Sequence, residues 1–151
     1  MEWILLFPLI PMICQDFKCR SVALWQLLLF GIMQISVCLF KYGVIQTGFN
    51  TLANLIILVI IGVSVMIYAH FRFKRKETII GCGDIIFMLL LTPYFLYPHI
   101  LHFLIVSLLI ALICWWVGNY IRKKRMSNIP LVSYLGICFA IVVVYNSIDC
   151  L

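Results

Sequence analysis

The sequence predicts an all-α, polytopic membrane protein with six transmembrane helices and both termini outside, and three observations carry that prediction. Hydrophobic residues make up 66% of the 151 residues and charged residues 11%, about half the charged share of a soluble domain, and the mean hydropathy is +1.18. The apolar residues come in runs of near-bilayer length, joined by segments too short to fold alone. Threaded as six crossings, the chain puts all but Lys41 of its eleven Lys and Arg on one side, the asymmetry expected of a cytoplasmic face. A single membrane-embedded domain, residues 1–151, is expected.

The first span covers residues 3 to 15. It is led by Glu2 rather than a basic segment and has no small-residue cleavage site, so it reads as a retained helix and not a signal peptide. Residues 21 to 40, 51 to 69, 99 to 118 and 131 to 148 each supply roughly the 20 apolar residues that a crossing needs. Residues 84 to 97 form a shorter span. The stretch 84 to 118 is either one long tilted helix or two spans, and Pro93 and Pro98 disfavour the single helix. One helix would also set Arg122, Lys123, Lys124 and Arg125 across the membrane from Arg72, Lys74, Arg75 and Lys76. Two spans keep both clusters with Lys18 and Arg20.

The net charge of +6 sits in these short juxtamembrane clusters, so membrane lipids, and no nucleic acid, are the expected partners. The seven cysteines, at 14, 19, 38, 82, 114, 138 and 150, form no CxxC pair and lie mostly in apolar runs. Neither a zinc site nor a disulfide framework is expected, and no cofactor is called for. His70, His99 and His102 read as interface anchors, as do Trp3, Trp25, Trp115 and Trp116.

Five acids remain: Glu2, Asp16, Glu77, Asp84 and Asp149. Glu2 and Asp149 fall at external ends, and Glu77 stands beside the basic third loop. Asp16 ends span one and Asp84 begins span four, on the same cytosolic face. Each has a bland use, Asp84 as a helix N-cap and Asp16 as a counter-charge to Lys18 and Arg20. Together they suit a dyad in which two neighbouring carboxylates share a proton, one activating water as general base and the other polarising a scissile carbonyl. Gly81 and Gly83, flanking Cys82 in "GCGD", would give the backbone freedom and let a substrate strand approach Asp84.

"GCGD" at 81 to 84 matches the GxGD motif of the type IV prepilin peptidases, the membrane aspartic proteases that also include archaeal preflagellin peptidases. "DFKCRSV" at 16 to 22 resembles that family's first motif, and "NIPLVSYLGICFA" near the C-terminus resembles its proline-led last helix. The chain departs from the family at Ala23 and Leu24, where Pro-Asn is common, and at Ile86, where a lysine is frequent. The resemblance implies an aspartic endopeptidase of the cell (inner, cytoplasmic) membrane, with Asp16 and Asp84 as the catalytic pair facing the cytosol. Its substrates would be prepilin or pseudopilin-like proteins of a pilus or secretion system, relieved of a short cytosolic leader. The zinc-binding insert of the larger, bifunctional members has no counterpart, so the minimal peptidase-only form is implied. A second reading is a non-enzymatic membrane protein, a transporter-like or assembly subunit whose acid pair handles a proton or cation.

Overall fold

The computed structural model describes residues 2–19, 22–72, 81–122 and 131–149. Arg20, the basic residues at 74–76 and 123–125, Glu77 and Pro130 lie outside them, as do the side chains of His70, Arg72, Arg122 and Asp149. Every regular element among the described residues is helical: a 3-10 turn, Glu2–Leu5, then α1 (Leu6–Cys19), α2 (Leu24–Arg72), α3 (Cys82–Leu90), α4 (His99–Arg122) and α5 (Leu131–Asp149). Three stretches are long and apolar enough to cross a membrane: Leu24–Tyr68, His99–Val117 and Leu131–Ile148.

α1 tolerates Pro8 because it sits in the first turn, where the missing N–H has no intrahelical partner in any case. Pro11 lies inside the helix and removes one bond of the ladder.

α2 holds the largest difference from the sequence reading. Residues 41–50, left between two expected spans, are helical, and the interruption is confined to Gly43, at φ 77° and ψ 169°. A side chain disfavours that conformation and glycine accepts it. Straight, 49 residues would run about 74 Å at 1.5 Å per residue, more than twice a bilayer core of roughly 30 Å. The helix instead doubles back. Thr47 donates its hydroxyl to the Cys38 carbonyl at 3.2 Å, and Ile35 and Leu52 line one cavity, neither of which a straight helix permits. Gly43→Ala is expected to cost about 1–3 kcal/mol, read as a lower detergent-melting midpoint, because that backbone region is open essentially to glycine alone; space is not limiting, since a Cβ there meets nothing within 4 Å.

Residues 84–118 form two helices. α3 ends at Leu90, turns occupy residues 91–98 around Pro93 and Pro98, and α4 begins at His99. Asn54, from the second arm of α2, donates its amide to the carbonyls of Thr92 and Phe95 at 2.9 and 2.6 Å, pairing groups left over where α3 stops.

The interior is aromatic. Phe139 of α5 is fully buried and meets Phe30 of α2, Tyr94 and Phe95 of the turn, and Phe103 of α4. Phe30 also packs on Phe87 of α3, so one side chain of α5 gathers the other elements. The outward surface is apolar too: Phe40, Ile45 and Phe49 of α2, Leu112 and Ile113 of α4 and Ile141 of α5 are all exposed. Ser36 and Ser64, exposed on α2, turn their hydroxyls back to the carbonyl four residues earlier, so they add no unpaired polar group to that surface.

At the end of the bundle where the 3-10 turn begins, Glu2 is buried. It accepts hydrogen bonds from Lys41 at the bend of α2 and from the Tyr94 hydroxyl at 2.6 Å. The Asn146 amide donates in turn to the Tyr94 oxygen at 3.2 Å. Charge-assisted bonds, which are roughly twice as strong as neutral ones, tie the 3-10 turn, α2 and the turn after α3, and a neutral bond adds α5.

Candidate functional site

The opposite end of the bundle holds Asp16 and Asp84. α1 and α5 pack antiparallel at very close range, because a Cβ on Gly136 would stand 2.9 Å from Ile13 Cγ1 and 3.6 Å from a methyl of Leu9. That approach lays the last turn of α1 on the first turn of α5. Asp16 is 5% exposed. Its Oδ2 accepts two hydrogen bonds from one residue, the backbone N–H of Ser133 at 2.9 Å and the Ser133 hydroxyl at 2.6 Å. Phe17 rests edge-on against Tyr134, the next residue of α5.

α3 brings Asp84 to the same place. Gly81, extended at φ −66° and ψ 143°, is the N-cap of α3, which makes Asp84 the third helical residue. Asp84 is therefore not the cap itself, one of the roles its position suggested, and takes the reaching-back role of a capping box. Its carboxylate lies close enough to the backbone N–H groups of Gly81 and of Val132, and to Asp16, for each to act on its charge. Val132 and Ser133 are adjacent. Two acids 68 positions apart in the chain are thus served by successive amides at the start of one helix, where the positive end of the macrodipole favours negative charge.

The two glycines differ. A Cβ on Gly81 would sit 3.0 Å from Asp84 Oδ2 and 3.7 Å from its Cγ, whereas one on Gly83 meets nothing within 4 Å. Gly81 leaves room for the carboxylate to fold back; Gly83 leaves an open surface beside it. Cys82 is exposed between them, and Cys14 and Cys19 are exposed on α1.

Ser133 and the amide of Val132 carry no signal in the sequence, since a serine inside an apolar run most often bonds to its own helix. Among the described residues, no group of three or more His, Cys, Asp or Glu converges as a metal site would require. A cavity of about 450 Å³ between the two arms of α2 and the far end of α3, lined by Leu39, Gly48, Leu89 and Pro93 among others, is apolar and lies away from the acids. No family model, no curated protein and no solved structure matches the chain at a significant level.

Proposed function

We propose that this chain is a membrane aspartic endopeptidase that removes the short cytosolic leader of a prepilin-like substrate. The observation that carries this reading is the convergence of Asp16 and Asp84 on the consecutive N–H groups of Val132 and Ser133. A pair of carboxylates so held has the parts for proton sharing: one ionised group takes a proton from water as it attacks the scissile carbonyl, and the other, protonated, polarises that carbonyl and then protonates the leaving amine. The exposed Gly81 and Cys82 and the open space beside Gly83 give an extended peptide a place to approach.

In this proposal the chain crosses the bilayer six times, by α1 with its leading turn, the two arms of α2, α3 with the turn that follows it, α4 and α5. Both termini lie outside and the acids face the cytosol, the side to which the basic clusters are assigned. α3, nine residues long, then accounts for a short crossing that places Asp84 near the membrane surface.

The test is cleavage of a purified substrate with a basic leader and an apolar helix by the protein in liposomes, with the product identified by mass. Cleavage just ahead of the helix is expected. In a variant whose sole cysteine is Cys82, a bulky maleimide is expected to stop cleavage, while Cys82→Ser without the label remains active. Full labelling of Cys82 with an unchanged rate would remove the GxGD turn from the active site. Proton uptake without any cleavage would instead favour the transporter-like reading.

A further inference from the structure

We infer that Ser133 is the positioning residue of the acid pair, fixing which oxygen of Asp16 is held and which is left for chemistry. Ser133 is wholly buried, and a hydroxyl in such a place needs a partner. It has two acceptors within range, the Asp16 carboxylate at 2.6 Å and the Ile13 carbonyl at 3.4 Å. A hydroxyl carries one proton, and the shorter, charge-assisted bond takes it. The residue's own N–H goes to the same carboxylate oxygen, Oδ2.

Oδ2 is consequently an anchor, occupied by two donors from one residue. A proton arriving on Asp16 meets N–H and O–H hydrogens at Oδ2 and is directed to Oδ1, which takes neither of Ser133's bonds. In the peptidase reading, on which the catalytic meaning of this assignment rests, Oδ1 is the oxygen that activates water or exchanges a proton with the substrate. Ser133 touches neither; it acts through Asp16. Both bonds end on Oδ2, so removing the hydroxyl leaves that oxygen with the Ser133 N–H alone and frees the carboxylate to turn.

Among the described residues, these ionisable groups share that end of the bundle. Asp84 on α3 is the acid within electrostatic reach. On α1 itself are Lys18 and the exposed thiols of Cys14 and Cys19. Cys82 of α3 and Tyr134 of α5 share this end of the bundle, and Tyr68, at the end of the second arm of α2, is exposed.

The experiment is an infrared titration of the purified protein in lipid nanodiscs, following the protonated-carboxyl band that disappears in Asp16→Asn. Ser133→Ala keeps the N–H and deletes the hydroxyl. It is expected to move the midpoint of that band, since the carboxylate loses its shortest hydrogen bond. Ser133→Thr restores the hydroxyl and is expected to return the midpoint to the wild-type value. Ser147→Ala, whose hydroxyl bonds only to the Val143 carbonyl of its own helix, is expected to leave it unmoved. An equal midpoint in wild type and Ser133→Ala, or a shift that Ser133→Thr fails to reverse, would overturn the assignment. The acidic limb of the cleavage profile should follow the same shift. A moved midpoint in a protein that cleaves nothing would support Ser133 and refute the peptidase, whereas cleavage with an unmoved midpoint would do the reverse.

Discussion

Asp16→Asn and Asp84→Asn are each expected to reduce leader cleavage by about 10²- to 10⁴-fold, the range that general acid–base groups contribute, while the protein still inserts and accumulates. The reason for retained folding is geometric. An asparagine carbonyl at position 16 can still accept from the Ser133 amide and hydroxyl that now hold Oδ2, and one at position 84 can still accept from the Gly81 and Val132 amides. An amide can neither take a proton from water nor deliver one to the leaving amine. The measurement is the mass of the substrate after incubation with each purified variant, set beside its detergent-melting midpoint. Processing at a wild-type rate by either variant would dismantle the dyad.

The second large effect concerns the two glycines, which a motif treats alike and the structure separates. Gly81→Val is expected to lower kcat by about 10²-fold, because the added side chain must displace a carboxylate whose Oδ2 would already lie 3.0 Å from a Cβ, and misplacement by about 1 Å can cost that much. Folding should survive, since φ −66° and ψ 143° is extended backbone open to any residue. Gly81→Ala should fall between wild type and Val. Gly83→Ala crowds nothing in the protein and gains helix propensity of up to about 1 kcal/mol, so any loss of cleavage should appear in KM. Steady-state kinetics on the three variants decide the matter. A kcat loss at Gly83 equal to that at Gly81 would show that the contact with Asp84 is not what the first glycine protects.

The acids were legible in the sequence because charge is scarce in this chain and, of the three acids on the face that collected the basic residues, only Glu77 stood among basic neighbours in a loop, leaving Asp16 and Asp84 at the ends of spans. The helical character of the chain was legible for the same reason, since long apolar runs leave little else. The continuation of α2 through residues 41–50 was not. "KYGVIQTGFN" has the glycines and polar residues of a loop, but Thr47, Asn50 and Asn54 lie on one buried stripe, Thr47 bonding across the bend to Cys38 of the first arm and Asn54 to the turn after α3. Their spacing of three and four residues was a helical signal, hidden because the periodic residues are polar. Glu2 and Lys41 were both expected at the outer end, but nothing in the sequence paired two residues 39 positions apart. Ser133 was the least visible, because nothing in "PLVSYLG" says which way a hydroxyl points.

The sharing of one helix start by both acids makes the covalent chain itself a ruler. Neighbouring residues are about 3.8 Å apart from Cα to Cα, a spacing fixed by a planar peptide. The gap between two carboxylates seated on neighbouring amides is therefore tied to bond lengths more than to how tightly the bundle is squeezed. Small in-and-out breathing of the helices carries the acids together with α5. Turning α5 about its axis is another matter: one residue of slip is about 100° of rotation, enough to carry both amides off their acids at once. The site is thus compliant to compression and unforgiving of rotation, and Gly136, whose missing side chain keeps α5 seated against Ile13, serves as the index mark that holds the ruler at zero.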